Sequence, residues 1–543
     1  MSSAMMNARI GFLPAAVIAA SAAVAVLPAT AHGESVAIAN DSVDQIFSRH
    51  AAYAGHPEGL VLKYRFKPPA PKASPKPTPS AGPDEPTFPD RFETTYRRGA
   101  LYRTVTEAGG VTQQSGFTGR SFWSANYNGY TVLAYENAAR FRLTGNLIEA
   151  DQLDASLEPR SRPAETIDGK PVDVVRISPP AGIPADIAFD RATGAYVQIT
   201  TDPEKKYGEH SVVHIDGYAE AGPNVHVPKG YHFGDAADSG RWELAEQTVR
   251  AVTNADLRGP VPTASWAFKS TDTEPIDIVE RSSTYSRGLQ SGAVHVHASI
   301  GGHAGTFLLD SGAAGIILFK PYADKIKYTK LGRTGFVGIN GSGVGARFVK
   351  LADSIDVGKN SLSNVIVTVQ DGKGFGEVDG IVGYDFLAGA LVDVDLAART
   401  IRILDPSTMQ PVVAQGAYAF TVNLANRTPQ IVVKAAGAPA RPTIDTGNSS
   451  WIILSYAMID DGRVVALPHD YRGFAGVDGV IGARCSKLSL VEVGPYKYER
   501  AETCFAGGSF GLDGGLIGYD FLKHFNWTFD YAESKLVLTP NGK

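Results

Sequence analysis

The sequence predicts a mainly β chain of about three units, and three observations carry that prediction. Glycine (58) and proline (33) make up about one residue in six of the 543, against about one in eight in an average protein. So much turn chemistry favours many short strands over long helices. Apolar residues alternate along short runs such as Leu60–Phe66 and Val172–Ile177, with turn pairs such as Asp168-Gly169 and Thr193-Gly194 nearby. The C-terminal half repeats one pattern of apolar strands and glycine turns twice, which marks an internal duplication. Apolar residues at 43% and charged residues at 20% supply material for buried cores and exclude a disordered or fibrous chain. A net charge of −5 gives no electrostatic case for nucleic acid or an anionic membrane surface.

Residues 1–31 have the pattern of an export signal. Arg9 precedes an Ala/Val-rich stretch from Ile10 to Leu27, and Ala29-Thr30-Ala31 follows as a small-x-small cleavage site. An uncleaved anchor helix is the alternative, because the stretch approaches spanning length. Pro14, Pro28 and the excess of Ala over Leu favour cleavage, which gives a periplasmic or secreted protein with no membrane span after signal removal. In an exported chain the pair Cys485 and Cys504 reads as a disulfide. A zinc site would need further ligands that the neighbourhood lacks.

Residues 32–255 form the next unit, interrupted at 67–90 by a proline-rich stretch that cannot join a sheet interior and reads as a surface loop. Arg241 to Ala255 reads as a closing helix. The run from Gly116 to Trp123 and the strand-turn Phe189-Asp-Arg-Ala-Thr-Gly194 resemble the periplasmic lipoprotein-carrier family. The resemblance implies an open, strongly curved antiparallel sheet cupping a helix, with a cavity for a lipid or acyl ligand. Phe117, Phe122, Trp123 and Tyr130 would line the concave face. The alternative is a β-rich scaffold whose aromatic residues fill an ordinary core.

The duplicated half carries the chemistry. Thr306-Phe-Leu-Leu-Asp310-Ser311-Gly312-Ala313 is answered by Arg441-Pro-Thr-Ile-Asp445-Thr446-Gly447-Asn448. Gly383 follows Asp310 by 73 residues and Gly518 follows Asp445 by the same 73, each opening a Gly-Tyr-Asp-Phe-Leu run. This arrangement resembles the aspartic peptidases of the retropepsin/pepsin group. The resemblance implies two β-barrel lobes, residues 256–410 and 411–543, each presenting one Asp-Ser/Thr-Gly loop, with Asp310 and Asp445 as the catalytic pair and no cofactor. Peptide hydrolysis by this route needs two carboxylates close enough to share one proton. One takes a proton from a bound water while the other gives a proton to the carbonyl oxygen.

Around that pair, Gly312 and Gly447 allow close backbone approach, and the hydroxyls of Ser311 and Thr446 can brace the loops against each other. Gly383 and Gly518 would pack beside the loops. Gly341 and Ser342 lie in the glycine-rich stretch Gly335–Gly345, which reads as a substrate-covering hairpin tip or, alternatively, as a plain solvent loop. Asn448 departs from the family pattern, where a small residue follows the glycine. Asp385 and Asp520 are expected to cap the short helices that Phe-Leu begins. His295, His297 and His303 lack a nearby carboxylate or Cys to complete a metal site, so no metal is expected. The function implied is an exported aspartic endopeptidase acting on peptide or protein substrates. The rival is a periplasmic ligand-binding or carrier protein whose peptidase-like half is an inactive scaffold.

Overall fold

A computed structural model describes residues 41–542 apart from 69–90, 135–157, 280–291 and several shorter stretches, among them 339–342. The signal-like start and nearly all of the proline-rich stretch lie outside the described residues. The chain is mainly β, as the turn-rich composition predicts.

The N-terminal unit begins with the helix Val43–Ala54. Ser42 caps it, accepting from the Gln45 amide while the Gln45 side chain reaches back to the Ser42 amide. Ile46, Phe47, His50 and Ala54 form one buried stripe. That stripe meets Phe189, Tyr196 and Ile199 of a thirteen-stranded antiparallel sheet. The sheet runs from the edge strand Thr131–Ala134 to the edge strand Arg160–Ile167.

Arg241–Val249, expected to be helical, is instead a strand. It pairs with Leu60–Lys67 on one side and Gly230–Phe233 on the other, and Trp242 faces the core. Two ladders satisfy its backbone, and that tertiary pairing overrides the local preference of its Glu, Leu and Ala residues.

The C-terminal half holds two barrel-like lobes. In the second, Val433–Ala435, Ala438–Ile444, Gly514–Ile517, Ile452–Ser455, Tyr496–Ala506 and Gly479–Val493 follow one another in the sheet. The pairing of Val433 with Val493 closes them into a six-stranded barrel. The lobes are stitched together where Leu391–Asp395 pairs with Phe525–Asp530, Leu391 opposite Asp530. One apolar core runs through this seam, with Phe386, Val392, Trp527 and Phe529 fully buried in it. Among the described residues no helix is long and apolar enough to cross a membrane.

Candidate active site

The two copies of the motif fold in the same way. Leu309 lies parallel to Val382. The Asp310 amide then donates to the Val382 carbonyl (3.0 Å), and a tight turn closes with the Ala313 amide on the Asp310 carbonyl (3.1 Å). In the second lobe Ile444 lies parallel to Ile517, the Asp445 amide donates to the Ile517 carbonyl (2.8 Å), and Asn448 closes the turn on Asp445 (3.1 Å). Each aspartate therefore leaves a buried strand in mid-sheet and enters a turn held by backbone bonds. Gly383 and Gly518 pack on these turns. A side-chain carbon on Gly383 would stand 2.3 Å from the Ala313 carbonyl, and one on Gly518 2.4 Å from the Ser450 carbonyl, so no larger residue fits.

The turns brace each other. The Ser311 hydroxyl donates to the Ile444 carbonyl (2.7 Å) and accepts from the Thr446 amide (3.1 Å). The Thr446 hydroxyl donates to the Leu309 carbonyl (2.8 Å) and accepts from the Ser311 amide (3.0 Å). Four bonds thus fix one loop against the other with two-fold symmetry.

The bracing brings Asp310 and Asp445 face to face. A carbon added to Gly312 would lie 2.6 Å from the Asp445 carboxyl carbon, so glycine is what lets the opposite carboxyl sit there. Asp310 Oδ1 accepts from the Gly312 amide (2.8 Å) and Asp445 Oδ1 from the Gly447 amide (3.0 Å). The two carboxyl groups act on each other's protonation, and carboxyls buried face to face in this way share one proton. Each Oδ2 is buried without a protein partner among the described residues. Both side chains are fully buried, and burial raises both pKa values; the charge of Asp310 raises that of Asp445 further.

Other expected site residues fall as follows. Asn448 turns its side-chain oxygen onto the Ser450 amide (2.9 Å) and so supports its own turn. Gly341 and Ser342 lie outside the described residues. Cys485 and Cys504 are disulfide-bonded across adjacent strands. Asp385 and Asp520 do not cap their short helices; Gly383 and Gly518 hold the cap positions. Asp520 pairs with Lys523 (2.7 Å), whereas Asp385 is fully buried and accepts from Asn126 of the N-terminal unit. His297 pairs with Asp277 (2.9 Å) on the surface. No group of three His, Cys, Asp or Glu among the described residues is placed to hold a metal ion.

The four aromatics expected to line a ligand cup pack elsewhere. Phe117 and Phe122 cluster with Tyr102 against Ala425 of the C-terminal half. The Trp123 ring lies under Gly259. Tyr130 enters the peptidase-like core beside Tyr384, ring centres 6.4 Å apart. The turn from Asn126 to Tyr130 is a feature that the sequence did not single out, apart from the Tyr130 ring.

Residues 296–386, which contain Asp310, Gly383 and Asp385, match the family model described as aspartyl protease. No curated protein sequence matches the chain. Among solved structures it is similar to a domain described as an outer membrane lipoprotein-sorting protein from Vibrio parahaemolyticus, with TM-score 0.28 and 11% identity over 40% of this chain and 98% of that one. It is also similar to a LolA superfamily protein from Nitrosomonas europaea, with TM-score 0.26 and 10% identity over the same shares.

Proposed function

We propose that the chain is an exported aspartic endopeptidase in which Asp310 and Asp445 together activate a water molecule. The observation that carries this reading is the face-to-face placement of two fully buried carboxyl groups, each at the same place in a duplicated turn. Two carboxylates in such contact cannot both ionise, so the pair holds one proton and offers an acid and a base at once. The ionised carboxylate takes a proton from water as the water oxygen bonds to the scissile carbonyl carbon. The protonated partner gives its proton to the carbonyl oxygen, and a tetrahedral diol results. Collapse of that diol breaks the C–N bond: the amine nitrogen takes the dyad's proton while one diol hydroxyl gives its proton to the other carboxylate, so the dyad ends singly protonated again. The match of residues 296–386 to aspartyl proteases supports the protease class. The disulfide and the signal-like start support export.

The test is turnover of a mixed peptide library by the wild type, Asp310→Asn and Asp445→Asn. Cleavage by the wild type, with a loss of at least about a thousandfold in each folded variant, supports the dyad. Retained cleavage in either variant removes it. A wild type that binds peptides without cutting them is the scaffold protein instead.

A further inference from the structure

We infer that the N-terminal sheet supplies positioning residues for the Asp310 loop, Asn126 and Tyr127, so that the first lobe of the peptidase is completed by a separate unit of the same chain. The inference rests on the peptidase reading above and adds a part to that site.

The two copies of the motif differ where this unit touches. In the second lobe Asp520 finds its partner three residues on, at Lys523, 2.7 Å away. In the first lobe the residue three on from Asp385 is Ala388, and Asp385 instead accepts from Asn126 Nδ2 at 2.5 Å, across 259 residues of chain. The Asn126 side-chain oxygen accepts from the amides of Asn128 and Tyr130, both at 3.1 Å. That fixes which end of the amide faces Asp385. Likewise Gly315 stands where the second lobe has Ser450, five residues after the aspartate in each copy. A side-chain carbon on Gly315 would stand 2.6 Å from the Tyr127 hydroxyl and 3.0 Å from Asp385 Oδ2. Gly315 thus makes room for Tyr127 in the turn that begins at Asn126.

That turn is firmly seated. Asn128 is fully buried, and its side chain pairs with Ile366 as a strand would, donating to the carbonyl (3.0 Å) and accepting from the amide (2.8 Å). The Tyr127 ring packs on Phe348 (4.9 Å between centres), in the strand Gly343–Leu351 of the same lobe. A second contact, at Gly109 and Gly110, brings backbone against the carbonyls of Arg333 and Leu331. Asp385 is thus clamped between the N-terminal turn and the backbone that carries the Asp310 loop, since the Tyr384 amide donates to the Ala313 carbonyl at 2.8 Å. The titratable and charged groups facing it are Tyr127, Tyr130, Tyr384 and Arg427.

The test uses the full chain with Asn126→Asp and with the exchanged pair Asn126→Asp/Asp385→Asn. The first places two carboxyl groups in one buried site; the second restores an amide–carboxyl pair with its members reversed. At pH 7 Asn126→Asp should lose at least about tenfold in kcat with a smaller change in KM, and should recover below about pH 5, where one carboxyl regains its proton. The exchanged pair should return to within about threefold of wild type. Amide hydrogen exchange across residues 306–318 should quicken at least about tenfold in Asn126→Asp and return towards wild type in the exchanged pair. Exchange unchanged in the single variant, or left fast in a folded exchanged pair, would overturn the inference. Exchange is read without substrate, so a wild type that cleaves no peptide would remove the peptidase reading while this readout still decides the positioning.

Discussion

The Ser311 hydroxyl reaches across the lobe boundary to donate to the Ile444 carbonyl at 2.7 Å, one residue before Asp445 in the chain. Its mirror is Thr446, which donates to the Leu309 carbonyl one residue before Asp310. Each hydroxyl therefore holds the residue that precedes the opposite aspartate. These bonds act on the backbone directly behind the two carboxyls.

Thr446→Val tests this bracing. Valine keeps the branched shape but leaves the Ser311 amide without its acceptor and the Leu309 carbonyl without this donor. Buried groups orphaned in this way cost about 1–3 kcal/mol each. The variant should melt below both wild type and Thr446→Ser, with kcat falling more than KM. Melting temperatures equal to those of Thr446→Ser would show that the bracing carries no such weight.

Asp385 makes a prediction about stability and pH. Its carboxyl is fully buried, and burial raises its pKa from 3.8 to about 6 against the opposing effects of Asn128, Asn126, Arg427 and Tyr127. A folded-state value above the unfolded one means that the group stabilises the fold fully below the unfolded value. That contribution is lost as pH rises through about 6, and a shift of this size corresponds to about 3 kcal/mol. Asp385→Asn cannot ionise, so its thermal stability should fall less than that of wild type between pH 4 and pH 8. Parallel melting curves for the two proteins across that range would contradict the raised pKa of the buried carboxyl.

Legibility in the sequence followed distance along the chain. Asp310, Ser311, Asp445 and Thr446 could be read because turn, strand and glycine recur at fixed spacing in both copies, and each copy's backbone bonds close within its own repeat. The disulfide was legible because only two cysteines exist. Asn126 and Tyr127 were not, since their meaning arises from partners such as Asp385, 259 residues away, and no local period encodes such a pairing. The strand Arg241–Val249 failed for a related reason: its helix-forming residues spoke locally, while its two partner strands lie elsewhere in the chain. The aromatics from Phe117 to Tyr130 were expected to line a concave face or to fill their own unit's core, whereas several of them pack against the C-terminal half.

The disulfide should contribute measurably to the second lobe. Cys485 and Cys504 sit opposite each other in the hairpin formed by Gly479–Val493 and Tyr496–Ala506. Cys504 also lies beside Ile453, in the strand that follows the Asp445 turn. Closing a loop of this size constrains the unfolded chain by about 3 kcal/mol, which lowers the melting temperature by about 6 to 12 °C when lost. The double variant Cys485→Ala/Cys504→Ala should show that drop, and denatured, unreduced wild type should contain no free thiol. Two titratable thiols in the purified, unreduced protein would exclude the bond.

The last prediction concerns the rate itself. Because the two carboxyls are buried face to face and shift each other's pKa, they titrate as one unit with two macroscopic steps, and the working form is the one that holds a single proton. Burial raises both values, and the charge of Asp310 raises that of Asp445 further, so the upper step moves towards neutrality. Above that step the dyad has lost its acid, and kcat/KM should fall about tenfold per pH unit. Below the lower step both groups hold protons, no base remains, and the rate falls again. Peptide turnover measured from pH 3 to 9 should therefore give a bell with its alkaline limb tied to the dyad. Asn126→Asp should reshape that profile through Asp385 without removing the alkaline limb, because the dyad's own proton is untouched. A rate that keeps climbing through about pH 8 to 9 would point to a nucleophile of another type and end the dyad mechanism.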